Sequence, residues 1–221
     1  MPLILRILLC LPVWCLLKIF CKFEVRGIEN IRVHKTRGVI FAANHASELD
    51  PVLVNAALPF MGEHNPLFFA ADEPKLFSTG FGWRSYIYKA PFFKAFGAYS
   101  VYLKKPRLRE ALKNQVALLQ KNRSLLFFPE GGRTRDGELR EAKLGIGYLL
   151  YKTEAVIIPV GIKGSYGMSV KNFLLGRMRV HIFFGAPITR KDMWGEKTEI
   201  RLREFKESAD VIMLRVKDLI Q

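Results

Sequence analysis

Two hydrophobic periods alternate along this chain. Short apolar runs bounded by turn formers predict buried strands at Gly38-Val39-Ile40-Phe41-Ala42, Leu67-Phe68-Phe69-Ala70-Ala71, Leu125-Leu126-Phe127-Phe128, Val156 to Val160 and Met178 to Phe184. Phe23-Glu24-Val25-Arg26-Gly27-Ile28 alternates apolar and polar and predicts a first strand ending near Asn30, and Ala98 to Leu103 predicts another. Helical patterns fall between them. Asp50-Pro51 opens an apolar run from Val52 to Leu58, with Asp a favoured N-cap and Pro suited to the first helical position. Pro106 opens a helix whose Leu108, Leu112, Val116 and Leu119 share one face. A further helix is predicted from Glu141 to Tyr151, and Gly161 to Gly167 reads as a loop. Ile200, Phe205, Ala209, Ile212, Val216 and Leu219 line one side of a C-terminal helix. Strands alternating with helices predict an α/β fold with a mixed, largely parallel sheet flanked by helices.

The N-terminal stretch has no such alternation. Pro2 to Phe20 is almost wholly apolar, broken by Arg6, Pro12 and Lys18. Its uncharged core, Ile7 to Leu17, is shorter than the roughly 20 residues that span a bilayer, although Arg6 and Lys18 can snorkel. No small-x-small cleavage pattern follows it. Residues 1–22 are therefore expected to form a retained membrane-associating helix, with a buried core helix as the rival, ahead of one domain over 23–221. Cys10, Cys15 and Cys21 all lie in or beside this stretch and imply neither a disulfide framework nor a metal site.

Composition narrows the class of partner. The 221 residues suit one α/β domain, and a formal net charge of +15 with 50% hydrophobic residues excludes disorder. It points to an anionic partner: nucleic acid, an acidic membrane surface, or an acidic substrate or carrier protein. Residues 75–98 interleave aromatics such as Trp83, Tyr86 and Phe92 with Lys75, Arg84 and Lys89. Such a stretch can stack on single-stranded bases or sit at a lipid headgroup boundary. Beside a lipid-facing N-terminus, an anionic membrane surface is the expected partner and nucleic acid is not.

Two loops carry candidate chemistry. His45 lies between the strand ending at Ala42 and the helix opened by Asp50-Pro51, in a connection of the kind that presents reactive groups. A histidine can take a proton from a hydroxyl near neutral pH, and a nearby carboxylate can fix its tautomer. Taken alone, the pair is better read as a capping Asp and a polar loop His. The second loop follows Leu125 to Phe128 and is Pro129-Glu130-Gly131-Gly132-Arg133-Thr134-Arg135, a glycine-rich turn with one carboxylate and two guanidiniums. His34, His64 and His181 are scattered singly, so no metal or other cofactor is expected.

Asn44-His45-x-Ser47-x-x-Asp50 and Phe128-Pro129-Glu130-Gly131-x-Arg133, followed by Ile158-Pro159-Val160, resemble three motif blocks of the glycerolipid acyltransferase family. Its best-known members are lysophosphatidic acid acyltransferases, and the resemblance runs from about Phe23 to about Ile188. It implies the glycerolipid acyltransferase fold, with His45 and the 130–133 loop at neighbouring ends of central strands. It also implies transfer of a fatty acyl group from an acyl thioester, acyl-CoA or acyl-acyl carrier protein, to the free hydroxyl of a lysophospholipid. Lysophosphatidic acid is the foremost acceptor. By this resemblance His45 is the base, Asp50 orients it, and Arg133 pairs with the acceptor phosphate. Glu130 lies in the acceptor site or serves as partner of Arg133 or Arg135, and the Gly131-Gly132 turn offers backbone amides. The enzyme is expected at a membrane, with its active site on the cytoplasmic face.

One block departs from the pattern. Gly97 is present, but Leu103 stands where the family places an arginine on the substrate phosphate. Lys104 follows and offers a point charge rather than a bidentate fork. Another lysolipid, such as a lysophosphatidylglycerol or one without phosphorus, therefore stays open as acceptor. From a different class, so does a non-enzymatic basic protein that binds membrane surfaces or nucleic acid.

Overall fold

The computed structural model describes residues 12, 14–32, 38–59, 62–64, 66–71, 98–100, 107–168 and 170–221. Its strands are β1 (Cys21–Arg26), β2 (Val39–Ala43), β3 (Leu67–Ala71), β4 (Ala98–Ser100), β5 (Ser124–Phe127), β6 (Val156–Lys163) and β7 (Met178–Phe184). They form one sheet in the order β1-β7-β6-β2-β5-β3-β4. Every neighbouring pair is parallel except β6 and β7. So β2 to β6 run one way, and β1 and β7 run the other. The helices are α1 (Asp50–Ala57), α2 (Leu108–Ala111), α3 (Lys113–Gln120), α4 (Gly145–Thr153), α5 (Val170–Leu174), α6 (Arg190–Trp194) and α7 (Leu202–Ile220), and residues 14–20 are helical ahead of β1. The expected mixed, largely parallel α/β architecture is what the chain adopts.

β2 is the middle of this arrangement because it can be buried on both faces. All five residues of Val39–Ala43 are buried, as an unbroken apolar run in a parallel sheet should be. Phe41 and Ala43 face a core completed by Leu53 and Val54 of α1. Ile40 and Ala42 face the opposite core, under α3, α4 and α7. Phe205, Ala209, Ile212 and Val216 of α7 are all buried there, at the 3.6-residue spacing that gives a helix one apolar stripe. α4 meets α7 closely: a Cβ at Gly147 would stand 2.4 Å from the Phe205 carbonyl oxygen.

Several boundaries differ from the sequence pattern, each for a local reason. β1 starts two residues early and ends at Arg26, where Gly27 at φ +73° turns the chain into a short 3-10 turn over Ile28–Ile31. Ile28 thus opens the turn instead of extending the strand, and Ile31 at its end is buried. Leu17 and Cys21, ahead of Phe23, belong to the same core. β6 runs three residues past Val160, since Gly161 to Lys163 pair antiparallel with β7. The helix expected from Pro106 is split at Leu112 into α2 and α3. α4 begins at Gly145, not Glu141: the Lys143 N–H donates to the Pro129 carbonyl at 2.8 Å and ties the preceding segment to the β5 loop. Residues 72–97 and 101–106 lie outside the described residues, and with them most of the aromatic-cationic stretch, Gly97, Leu103 and Lys104. Among the described residues no helix is long and apolar enough to cross a membrane.

Candidate active site

β2 and β5 are adjacent and parallel, so the loops that leave them open at the same edge of the sheet. In open α/β sheets, ligands bind outside such carboxyl ends. The loop after β2 is clamped at once. Asn44 donates from Nδ2 to the Ile162 carbonyl at 2.9 Å and accepts from the Ile162 N–H at 2.8 Å, joining it to β6. His45 follows, and both its backbone groups are held by the other loop. Its N–H donates to Glu130 Oε1 at 2.8 Å, and its carbonyl accepts from the Thr134 N–H at 2.9 Å. The imidazole stacks on Phe128, with centroids 3.9 Å apart and planes 15° from parallel.

The ring nitrogens are set apart by Asp50. His45 Nδ1 lies 2.9 Å from Asp50 Oδ2, and the Asp50 side chain is wholly buried while that of His45 keeps 17% exposure. An ionised carboxylate only accepts, so Nδ1 carries the proton and Nε2 presents a lone pair. Asp50 Oδ2 also accepts from the Ala46 and Ser47 amides at 2.7 and 2.8 Å. Oδ1 is buried with no partner among the described residues. Every hydrogen bond that the carboxylate accepts there falls on the oxygen facing His45.

The capping role expected for Asp50 is corrected by this geometry. Leu49 occupies the N-cap position without a side-chain cap, Asp50 is the first helical residue, and Pro51 comes second. An N-cap side chain bonds amides two or three residues ahead. Asp50 instead bonds amides three and four residues behind, drawing the loop around the histidine.

Glu130 is 1% exposed, and among the described residues its carboxylate bonds backbone amides and forms no ion pair with either expected arginine. Its second oxygen accepts from the Arg140 N–H at 3.0 Å, so the two oxygens bind two backbone amides on different segments. Burial pushes its carboxyl above the ordinary range, and the His45 and Arg140 amides pull part of the way back. Gly131 makes the turn possible: at φ +67° its N–H donates to the Phe128 carbonyl at 3.0 Å, and a Cβ would meet the Lys143 side chain at 2.8 Å. Gly132 follows, its Cβ direction 3.1 Å from Arg140 Nη1. Arg133 projects to the same edge as His45 and bonds Glu48 Oε1 from Nη1 at 2.9 Å, with both side chains nearly half exposed. The Arg135 carbonyl accepts from the Tyr166 hydroxyl at 2.8 Å.

The structure thus brings His45, Asp50, Glu130, Gly131, Gly132 and Arg133 together, while Lys104 lies outside the described residues. His64 is buried, within 3.1 Å of Ser124 Oγ and 2.6 Å of the Ile31 carbonyl, and His181 sits beside Glu24. Among the described residues no three His, Cys, Asp or Glu side chains converge as metal ligands. Sequence reasoning passed over Asn44, Glu48 and the stacking face of Phe128, although all three stand inside the quoted motif blocks. An acidic residue in one block and an arginine in the other was the available signal for the Glu48–Arg133 pair.

These features define a class. The family model Acyltransferase matches residues 22–163, from the second residue of β1 to the end of β6 and through both loops, and the chain belongs to that family. Among particular relatives, it is 28% identical over 148 residues to "1-acyl-sn-glycerol-3-phosphate acyltransferase LPAT1, chloroplastic" of Arabidopsis thaliana, covering 66% of this chain and 37% of that protein. It is 26% identical over 160 residues to the 1-acyl-sn-glycerol-3-phosphate acyltransferase of Borreliella burgdorferi, covering 69% of this chain and 56% of that one. The matches thus take in 37% to 56% of those relatives' length. The fold is that of the 1-acyl-sn-glycerophosphate acyltransferase PlsC from Thermotoga maritima, at TM-score 0.61 and 22% identity over 97% of this chain and 81% of that one.

Proposed function

We propose that this chain transfers a fatty acyl group from an acyl thioester, acyl-CoA or acyl-acyl carrier protein, to the free hydroxyl of a lysophospholipid, converting lysophosphatidic acid to phosphatidic acid. The observation that carries this reading is the His45–Asp50 pair, with one buried carboxylate on Nδ1 and Nε2 left to act as base. Nε2 takes the acceptor hydroxyl proton as its oxygen attacks the thioester carbonyl. The tetrahedral intermediate collapses, the carbon–sulfur bond breaks, and the thiolate recovers the proton from the imidazolium. Asp50 holds the tautomer and stabilises the imidazolium. A positioned base of this kind contributes about 10²–10⁴ in rate. Because the Gly131 amide is taken by the Phe128 carbonyl, Gly132 is the donor that this turn would offer the oxyanion.

Arg133 clamps the acceptor phosphate through its fork, displacing Glu48, and Lys104 adds a second positive charge. Glu130 acts as a positioning residue: its oxygens hold the His45 and Arg140 amides. The names of the plant and spirochaete relatives support the phosphate-bearing acceptor. Residues 1–22 serve as the membrane-associating segment and 23–221 as the acyltransferase domain. The enzyme works on an anionic membrane surface at its cytoplasmic face, without a cofactor and without nucleic acid. The test is a panel of lysolipid acceptors with one labelled acyl thioester, read by mass spectrometry. Phosphatidic acid is expected from the wild type and none from His45→Ala. Steep salt-dependent oligonucleotide binding with no acyl transfer to any lysolipid would overturn the reading.

A further inference from the structure

Because β1 and β7 run against the other strands, the catalytic edge also carries the start of β1, the end of β6 and the start of β7. Two segments border it: helical residues 14–20, and α5 with its turn between β6 and β7. They touch through the rings of Phe20 and Phe173, whose centroids are 5.8 Å apart. Beyond that contact both turn large apolar side chains to solvent, with Ile19 70%, Leu174 57% and Leu175 53% exposed. The turn is held rather than loose. The Gly176 N–H donates to the Phe173 carbonyl at 2.9 Å and the Arg177 N–H to the Asn172 carbonyl at 3.0 Å. On the same connection, Tyr166 bonds the Arg135 carbonyl of the catalytic loop.

The charged residues of these elements are cationic apart from Glu24. Lys22, Arg177 and Arg179 are exposed, and Lys22 stands opposite Arg179 across the β1–β7 ladder. α5, its turn and β7 contain no acidic residue, and β1 contains only Glu24, which already pairs with Arg26 at 3.4 Å. An exposed apolar turn at an edge that also carries Arg177 and, on the opposite sheet face, Lys22 and Arg179 matches the chemistry of an anionic lipid surface, apolar below the headgroups and negative at them.

We propose that α5 and the Leu174-Leu175 turn form a second membrane-insertion element. With residues 14–20 it seats on an anionic bilayer, so that the edge bearing His45 and Arg133 faces the headgroups. This rests on the reading that the acceptor is a membrane lysolipid. It adds that two separate segments, not the N-terminal one alone, set the enzyme's approach to the bilayer.

The test uses the full chain with Leu174→Ser/Leu175→Ser, Arg177→Gln and Arg179→Gln. Flotation is measured with phosphatidylcholine vesicles, with and without phosphatidylglycerol, and acyl transfer is measured to an acceptor in those vesicles and to a short-chain lysolipid dissolved as monomer. The leucine variant is expected to lose about tenfold or more in vesicle binding and in turnover of the bilayer acceptor, with turnover of the dissolved acceptor unchanged. Each arginine variant should lose about fivefold in binding, only where phosphatidylglycerol is present. Wild-type flotation by the leucine variant would overturn the proposal. So would a leucine variant that falls from dimer to monomer without lipid, because a second copy would then cover the patch. If the leucine variant fails to fold, the arginine variants decide, and unchanged binding to the anionic vesicles sinks the idea. Flotation reads out even if no acyl transfer is found, which keeps this inference separable from the proposed activity.

Discussion

The two ion pairs at the catalytic edge are built to opposite specifications. His45 and Asp50 meet at 2.9 Å with the carboxylate wholly buried and three hydrogen bonds on one oxygen. Arg133 and Glu48 meet at the same distance, but the side chains are 46% and 43% exposed. Burial gives the first pair high stakes, because removing one partner strands the other away from water. Exposure makes the second pair weak and replaceable, at about 0.2–1 kcal/mol for pairs of this kind. The geometry around His45 is locked inside the loop after β2, and Arg133, which in the proposed function exchanges Glu48 for the acceptor phosphate, stays in solvent.

Breaking the buried pair should have the largest effect. His45→Ala is expected to lower turnover by about 10²–10⁴ and also to lower the melting temperature, since it strands the buried Asp50 carboxylate without its imidazole partner. Asp50→Asn should also lose most of the turnover, through loss of the carboxylate that holds Nδ1–H and stabilises the imidazolium. Full turnover by Asp50→Asn in a stopped assay with excess thioester would reduce Asp50 to a structural loop tie.

Glu130 sharpens the comparison from behind. Glu130→Gln leaves one of two buried amides without its acceptor, which costs about 1–3 kcal/mol in a denaturant melt, and kcat should fall more than KM rises. Its pH dependence has a definite sign. The folded carboxyl titrates above its unfolded value. Its contribution is therefore fully present below the unfolded value and is lost as pH rises through the folded one. Melting curves from mildly acidic to neutral pH should show this decline in wild type, and Glu130→Gln should remove it.

The exposed pair should yield smaller, acceptor-specific changes. Arg133→Lys keeps the charge and loses the fork, so KM for a phosphate-bearing lysolipid should rise about tenfold. Equal losses on an acceptor lacking phosphate would make Arg133 structural. Glu48→Gln frees the fork, and KM for the phosphate-bearing acceptor should fall by up to about fivefold, the upper end for an exposed pair. An unchanged KM would mean that Glu48 and the acceptor do not compete.

Local pattern was sufficient for much of the fold. β3 and β7 lie where the apolar runs place them, β2 and β5 are each displaced by one residue, and Phe205, Ala209, Ile212 and Val216 of the expected stripe are buried along α7, while Ile200 precedes that helix and Leu219 is only partly buried. These elements are determined by side chains a few positions apart, so a short window of sequence contains their cause. The His45–Asp50 pairing was implied by the motif resemblance and not by local pattern, because a spacing of five positions by itself suits a helix cap and a loop histidine. Tertiary structure alone decided the rest. That β7 runs against β6, and so carries β6 on to Lys163, depends on strand neighbours distant in sequence. Glu130 reads as a ligand residue in its motif, yet its partners are the amides of His45 and Arg140, the former 85 positions away. Asp50 reads as a helix cap, yet it faces backward because the loop it closes must wrap a histidine already pinned by that second loop. A residue's type limits which bonds it can make, but only the packed sheet determines which donors are near enough to make them.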